Sequence, residues 1–196
     1  CYNKNMPKLV DHEERRKIIA KATWNVIARE GLGGASVRSI AKEANLSLGA
    51  VRHYFETQEE LLEFAMQLVE EQVTERIMGH LQSPLPPKEQ VLNILMELIT
   101  PEEKKVEMQV WLEYVSYKIR KKELQKESVH EAISEILHRL KKAGMLKEEI
   151  VLEEEIVFLH ALIDGLALHI LMGLVPIERE RIRYLLRKEL DRIFVE

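Results

Sequence analysis

The side chains best suited to bind another molecule are concentrated in one short stretch, residues 45–58 (NLSLGAVRHYFETQ). A guanidinium, an imidazole and a phenol follow one another there at Arg52, His53 and Tyr54. An arginine can form two hydrogen bonds with guanine O6 and N7, or it can bind a phosphate. The small residues just before Arg52 would permit close approach to a sugar-phosphate wall or a thymine methyl group. These residue types favour nucleic-acid binding over bond-making chemistry.

The spacing within residues 36–55 predicts a helix–turn–helix. With residue 37 as the first position, the fifth is the small Ala41, which lets the second helix cross closely. The ninth position is Asn45, at the turn, where a positive φ is usually needed and asparagine tolerates it. The fifteenth is Val51, an apolar side chain that would anchor the second helix in the core. These are the residue types that a tight helix crossing requires at these offsets.

The second helix of this motif is expected to lie in the major groove of double-stranded DNA. Arg52 is expected to contact either a base edge or a phosphate. A bidentate contact with a base is worth about 1–3 kcal/mol of discrimination against the wrong base. Hydroxyl groups and backbone N–H groups at the helix starts would contact phosphates. The expected DNA-contacting residues are Ser36, Val37, Arg38, Ser47, Leu48, Gly49, Ala50, Arg52, His53, Tyr54 and Gln58.

The charges are distributed unevenly along the chain. Residues 1–56 carry ten Lys and Arg against six Asp and Glu, whereas the remainder carries 19 against 27. The basic first part is therefore the one that would approach a polyanion. An excess of this size is also compatible with ordinary scatter, so the motif carries more weight than the charge.

Helical periodicity dominates the chain and predicts an all-α fold of about nine helices. The expected helices cover residues 11–30, 37–44, 48–54, 57–81, 88–99, 102–121, 122–143, 149–174 and 177–194. Ser36 and Ser47 are expected to cap the second and third helices, and Thr57 with Glu60 is typical of a capping box. We expect a DNA-binding domain over 1–56 and a ligand-binding and dimerisation domain over 57–196. Residues 1–10 are expected to be disordered or a processing remnant.

Residues 36–62 (SVRSIAKEANLSLGAVRHYFETQEELL) resemble the DNA-binding signature of the TetR family of transcriptional regulators. The resemblance covers about residues 11–62, and residues 161–173 (ALIDGLALHILMG) resemble the penultimate helix of regulators of the betaine-regulator (BetI) type. The motif residues are Ser36, Ile40, Ala41, Ala44, Ser47, Tyr54, Phe55, Glu60 and Leu61. Asn45, Arg52 and Gln58 depart from the family pattern, in which glycine, tyrosine and lysine are common. Losing that lysine predicts a weaker salt dependence, since each ionic phosphate contact adds about 0.9 to the slope.

The resemblance implies a homodimeric, ligand-responsive repressor that binds a palindromic operator and is released by a small hydrophobic or cationic effector. Its last two helices would form the dimer interface, in agreement with the apolar character of residues 156–175 on every side. A charge at Leu186 would then produce monomers. The residues expected at the interface are Leu166, Ile170, Ile182, Leu185, Leu186, Leu190 and Ile193.

The resemblance also implies a ligand cavity. Methionine and aromatic side chains would suit a broad apolar ligand because methionine repacks easily, although the same residues could simply be core. The expected lining residues are Phe64, Met66, Met96, Met108, Trp111, Tyr114, Tyr117, Phe158 and Asp164. Asp164 could select a cation, and with His160 it forms an i,i+4 pair. Two ligands are too few for a metal site, so no metal and no cofactor are expected.

Two other classes of function are alternatives to a DNA-binding regulator. An enzyme is not expected, because the sequence contains no phosphate loop, nucleophile elbow or HExxH motif and offers no catalytic residues. A protein that uses its apolar helices to dock partners without binding DNA remains the alternative. A gel shift against the DNA upstream of its own gene would discriminate between the two.

A membrane-spanning protein is also not expected. Residues 156–175 have membrane length, but Asp164 near their centre would cost about 2.5–3.5 kcal/mol on insertion scales. The single cysteine, Cys1, excludes a disulfide framework and fits a reducing cytoplasm.

Overall fold

The computed structural model describes residues 12–99, 105–123, 128–173 and 178–195, which form an all-α fold. The helices in these ranges are α1 (His12–Gly34), α2 (Val37–Glu43), α3 (Leu48–Tyr54), α4 (Gln58–Leu81), α5 (Pro87–Leu98), α6 (Lys105–Lys121), α7 (Ser128–Lys142), α8 (Leu152–Met172) and α9 (Arg179–Ile193). The predicted fold class is therefore confirmed. The expectation for residues 1–10 lies outside the described residues.

Most helix ends lie within a few residues of the predicted ones, and the exceptions have local causes. Gly31 interrupts α1 with a φ of 69°, at the predicted end of that helix, but helical backbone resumes and continues to Gly34. The prediction that a helix begins at residue 122 is wrong. Lys122 has a φ of 59° and ends α6, because a left-handed residue cannot continue a right-handed helix.

The chain divides into two compact units. The N-terminal unit comprises the described residues up to Val69 together with Gln109–Tyr117, and the C-terminal unit comprises Glu70–Met108 with the described residues from Lys118 onward. Helices α4 and α6 each contribute residues to both units. The sequence-based division after residue 56 separates α3 from α4 and stays a prediction.

In the N-terminal unit, the packing of α1 against α4 positions the helix–turn–helix. The buried Trp24 indole donates a hydrogen bond to the Ala65 carbonyl at 2.8 Å, which satisfies the N–H that burial removes from water. The Arg16 guanidinium lies 4.3 Å from the Phe64 ring centre, and Phe64 in turn contacts Phe55 at the end of α3. The N-terminal half of α4 thus packs against α1 and against the end of α3.

In the C-terminal unit, apolar side chains of α5, α7, α8 and α9 form one buried core. Four of the residues expected at a dimer interface belong to it and have no exposed surface: Ile182, Leu186, Leu190 and Ile193. Leu166 is also buried, while Ile170 and Leu185 are half-buried at its edge. The core of one chain already covers the buried members of this set, and their role at a dimer interface stays a prediction. An amphipathic stripe shows which side of a helix is buried, but not that a second chain buries it.

A lysine ammonium organises the loop between α7 and α8. Lys141 Nζ donates hydrogen bonds to the carbonyls of Lys147, Glu148 and Ile150 at 2.7, 2.9 and 3.4 Å. The same loop pairs with the end of the chain, since Lys147 N donates to Ile193 O at 3.0 Å. One side chain thereby satisfies carbonyl groups for which no helix supplies a partner.

Charged side chains on α9 tie it to α5 and α8. Arg192 contacts both Glu189 and the buried Glu155 of α8, and these hydrogen bonds raise its pKa. On α5, Glu89 accepts two hydrogen bonds from Arg187, at 2.5 and 2.9 Å. These hydrogen bonds hold the pKa of the Glu89 carboxyl below its ordinary value of 4.5.

The Glu89 ion pair predicts a pH-dependent contribution to stability. Because the pKa of Glu89 is lowered by folding, the pair stabilises the fold above about pH 4.5 and stops doing so as the pH falls through the folded value. Glu89→Gln is therefore expected to lower the melting temperature at pH 7, by a difference that shrinks as the pH falls below about 4.5. Thermal unfolding at several pH values measures it, with the exposed Glu154→Gln as control. A constant difference at all pH values would contradict the assignment.

Candidate nucleic-acid interface

Side-chain caps fix the starts of both helices of the helix–turn–helix. Ser36 Oγ accepts from Ser39 N at 3.1 Å while Ser39 Oγ accepts from Ser36 N at 2.9 Å, a reciprocal capping box. Ser47 Oγ accepts from Ala50 N at 3.1 Å. Both predicted N-caps are confirmed, as is the α3 span, Leu48–Tyr54. Because each cap uses its oxygen as an acceptor, the Ser47 hydroxyl proton can still be donated to a phosphate.

The turn between α2 and α3 has the predicted geometry. Asn45 adopts a φ of 53°, and Leu46 N donates to Ala41 O at 2.9 Å across the turn. Ala41 is almost fully buried and Val51 is completely buried. A small residue, a left-handed residue and an apolar anchor therefore occupy the places that the spacing predicted.

The predicted DNA-contacting residues all reach the surface. Ser36, Arg38, Ser47, Gly49, Arg52 and His53 are exposed, and Val37, Leu48, Ala50, Tyr54 and Gln58 are half-buried. Val51 is the only buried residue of α3, so the rest of that short helix is available to another molecule. Contact of these residues with DNA stays a prediction.

The one acidic residue of α2, Glu43, forms an ion pair within the protein. Glu43 accepts a hydrogen bond from Arg29 at 3.0 Å and another from Asn25 at 3.1 Å, and these bonds lower its pKa. Helices α2 and α3 contain no other Asp or Glu, whereas Arg38 and Arg52 are exposed cations. The exposed surface of the motif is therefore positively charged, as binding to a polyanion requires.

The start of α4 differs in one hydrogen bond from the predicted capping box. Thr57 Oγ1 accepts from Glu60 N at 3.1 Å, as predicted. The Glu60 carboxylate, however, accepts from Glu56 N at 2.9 Å. The N–H groups of Glu56 and Glu60 thus have partners within the protein, and phosphate binding by the N–H groups that open this turn stays a prediction.

No residue pattern in the sequence indicated the contact that His12 makes with this motif. Its ring centre lies 5.5 Å from that of Tyr54 and 6.3 Å from that of His53. His12 is the first residue of α1, far from α3 along the chain. Only the packing of α1 beside α3 reveals it.

The residues expected to line a ligand cavity are distributed over both units. Phe64 and Met66 are buried in the N-terminal unit, where Arg16 and Phe55 cover Phe64. Trp111, Tyr114 and Tyr117 are half-buried on the part of α6 that belongs to the same unit. A lining role for these five residues stays a prediction.

The remaining cavity candidates lie in the C-terminal unit. Met96 and Met108 are buried, and Asp164 Oδ2 lies 3.6 Å from His160 Nε2, the predicted i,i+4 pair. A lining role stays a prediction for Phe158, which is exposed, with the Arg192 guanidinium 5.9 Å from its ring centre. It lies on the outer face of α8, opposite the core.

Two glutamates of the C-terminal unit, Glu97 and Glu107, form ion pairs within the protein. Arg76 donates to Glu107 Oε2 at 2.8 Å and lies 2.9 Å from Glu97, while His80 lies 3.2 Å from Glu97. Both carboxylates are largely buried. The pairs join α4, α5 and α6 within the C-terminal unit.

Helix α8 is the one described helix with the length and composition of a membrane span. The criterion is weak, because core helices of soluble proteins also meet it. One side of α8 packs into the core described above, through Ile156, Leu159, Ile163 and Leu166.

Comparison with known proteins places both parts of the chain in one family. Residues 19–65 match the family model described as bacterial regulatory proteins, tetR family, and residues 87–195 match that described as BetI-type transcriptional repressor, C-terminal. The transcriptional regulator PksA of Bacillus subtilis is 44% identical, over 97% of this chain and 95% of its own length. The regulator BetI of Vibrio parahaemolyticus is 30% identical, over 95% of this chain and 96% of its own.

A solved structure shows the same fold. A protein from Saccharomonospora viridis, described as a transcriptional regulator and solved in complex with choline, has a TM-score of 0.78 at 20% identity. The alignment covers 94% of this chain and all of that one. The relatives are transcriptional regulators, which confirms that this chain is not an enzyme. The chain belongs to the TetR family of transcriptional regulators, with a C-terminal domain of the BetI type.

Proposed function

We propose that the chain is a homodimeric repressor that binds a near-palindromic operator and is released from it by a small hydrophobic or cationic effector. The observation that carries the DNA-binding part is the surface of α3. This helix is capped by Ser47, anchored by Val51 alone, and otherwise available to the major groove, with Arg52 exposed. Such a regulator would act in the cytoplasm, where the DNA is.

The DNA-binding surface can be tested without knowledge of the regulated genes. Selection of binding sites from random double-stranded DNA is expected to enrich a near-palindrome. Its half-sites should be about one helical turn apart or slightly more, because a two-fold dimer presents two copies of α3. Affinity for the selected site should fall as the salt concentration rises. Failure to enrich any sequence, together with no salt-sensitive gel shift, would favour the alternative of a protein-docking role.

The outer face of α8 supports a second copy of the chain as the partner in the dimer. Val157, Ala161, Leu168 and Met172 recur at helical spacing along α8 and are exposed, although three of them are large apolar side chains. Exposed apolar surface of this kind marks an interaction site. The face is on the same helix that the family resemblance assigns to dimerisation, so we assign the interface to this face instead of the buried stripe of α9.

Leu168→Glu is expected to convert the dimer to monomers, because a carboxylate would be buried without a partner at the centre of the interface. Analytical ultracentrifugation should show half the native mass, and operator affinity should fall. The matched control is Ile119→Glu, which places the same charge on an exposed isoleucine of α6. A Leu168→Glu protein of unchanged mass would refute this interface.

The effector class rests on the aromatic residues of α6 and on the relatives. Trp111, Tyr114 and Tyr117 are spaced three apart on one helix, and aromatic faces attract cations with weakly bound water. The Saccharomonospora viridis relative is described in complex with choline. A thermal-shift screen of choline and more lipophilic ammonium compounds, repeated for release of operator DNA, tests the assignment. The effector must bind the DNA-free state more tightly if it is to release DNA.

A further inference from the structure

Three polar aromatic rings from α1 and α3 meet at one place on the surface of the N-terminal unit. His12 lies 5.5 Å from Tyr54 and 6.3 Å from His53, between ring centres, and His53 meets Tyr54 edge-on at 5.3 Å. His12 and His53 are exposed and Tyr54 is half-buried. The cluster therefore joins the start of α1 to the C-terminal end of α3.

The hydrogen-bonding groups of this cluster are not used within the described part of the chain. The three rings contact one another, but their ring nitrogens and the Tyr54 hydroxyl form no hydrogen bond with any described residue. An imidazole and a phenol each present at least one donor. A group of solvent-facing donors that converge suits an anion with several acceptor oxygens, and a phosphate is such an anion.

We propose that His12 is a DNA-contacting residue and that His12, His53 and Tyr54 together bind one phosphate of the operator backbone. The proposal rests on the proposed function, since it requires α3 to lie in the major groove. A recognition helix contacts base edges mainly through its N-terminal residues. Its other end, here Tyr54, then approaches the wall of the groove, where the phosphates are. Glu13 and Glu14, which follow His12, are both engaged in interactions within the protein.

The His12→Phe variant separates a phosphate contact from simple packing. Phenylalanine keeps a ring against Tyr54 and His53 but removes the donors. We expect affinity for the selected operator to fall about tenfold, the order that losing one hydrogen bond to a charged group gives. The fall on random DNA should be similar, because phosphate contacts carry no sequence information. His12→Gln, which keeps a donor, should retain part of the affinity.

A scan with neutral phosphates identifies the contact itself. Single methylphosphonates are placed in turn along one half-site, and wild-type protein and His12→Phe are compared at each position. One position is expected to weaken the wild type but to have little further effect on His12→Phe, because the contact is already lost. His138→Phe, which alters an exposed histidine of α7, should behave as the wild type throughout.

Two results would overturn the proposal. One is wild-type affinity in His12→Phe, and the other is an additive effect of the variant at every methylphosphonate position. Circular dichroism establishes that the variant is folded, and His12→Gln enters the same scan if it is not. Failure of the wild type to select any DNA would instead refute the proposed function, so the two failures are distinguishable.

Discussion

Arg52→Ala is expected to weaken binding to the selected operator while binding to random DNA changes little. Arg52 is exposed on α3, beside the buried anchor Val51. If its guanidinium forms two hydrogen bonds with a guanine, the loss should be about 1–3 kcal/mol per half-site. A fluorescence anisotropy titration against both DNAs, at fixed salt, measures the ratio of the two affinities.

Arg38→Ala is the matched control for this experiment, because Arg38 is an exposed arginine of α2 with a predicted phosphate contact. Its replacement should weaken binding to both DNAs equally and reduce the slope of log affinity against log salt concentration by about 1. If Arg52→Ala behaves in the same way, Arg52 contacts a phosphate and another residue of α3 reads the sequence. The pair of variants thus decides between the alternatives that the sequence left open.

Leu186→Ala is expected to lower the free energy of unfolding by about 2–5 kcal/mol, the range for a leucine removed from a core. Leu186 has no exposed surface and lies in the core cluster of the C-terminal unit. Urea denaturation at one protein concentration measures the change, since the proposed dimerisation would make stability depend on concentration. The native mass should be that of the wild type.

Leu185→Ala controls for the chemistry of the substitution, because Leu185 is the adjacent leucine of α9 and only half-buried. Leu185→Ala should lower the free energy of unfolding clearly less than Leu186→Ala does. If Leu186→Ala instead produced monomers whose free energy of unfolding was unchanged, the interface predicted from the sequence would be supported. Loss of stability at unchanged mass, the expected result, would mean that the apolar stripe of α9 packs within one chain.

The sequence predicted the helix–turn–helix closely because its determinants are local. Ser36 and Ser47 cap helices within one turn, and the turn at Asn45 needs only one residue to adopt a positive φ. Each of these is a short-range steric or hydrogen-bonding requirement that a spacing can express. The bounds of α3 followed directly from them.

Long-range packing could not be predicted in the same way. The stripe on α9 was correctly identified as buried, but its periodicity contains no information about whether α8 or a second chain covers it. His12 approaches Tyr54 only because α1 packs beside α3, and no residue spacing encodes that contact. Phe158 was assigned by residue type, whereas its position on the outer face of α8 decides its exposure.

The small size of α3 has a thermodynamic consequence for the regulator. A helix of seven residues with one buried side chain makes few contacts of its own, so it should open locally at a lower free energy than the rest of the fold. Any ordering of α3 on the operator would then consume part of the binding free energy. The complex would be less tight than its contact surface suggests, and a modest effector affinity would suffice to dissociate it.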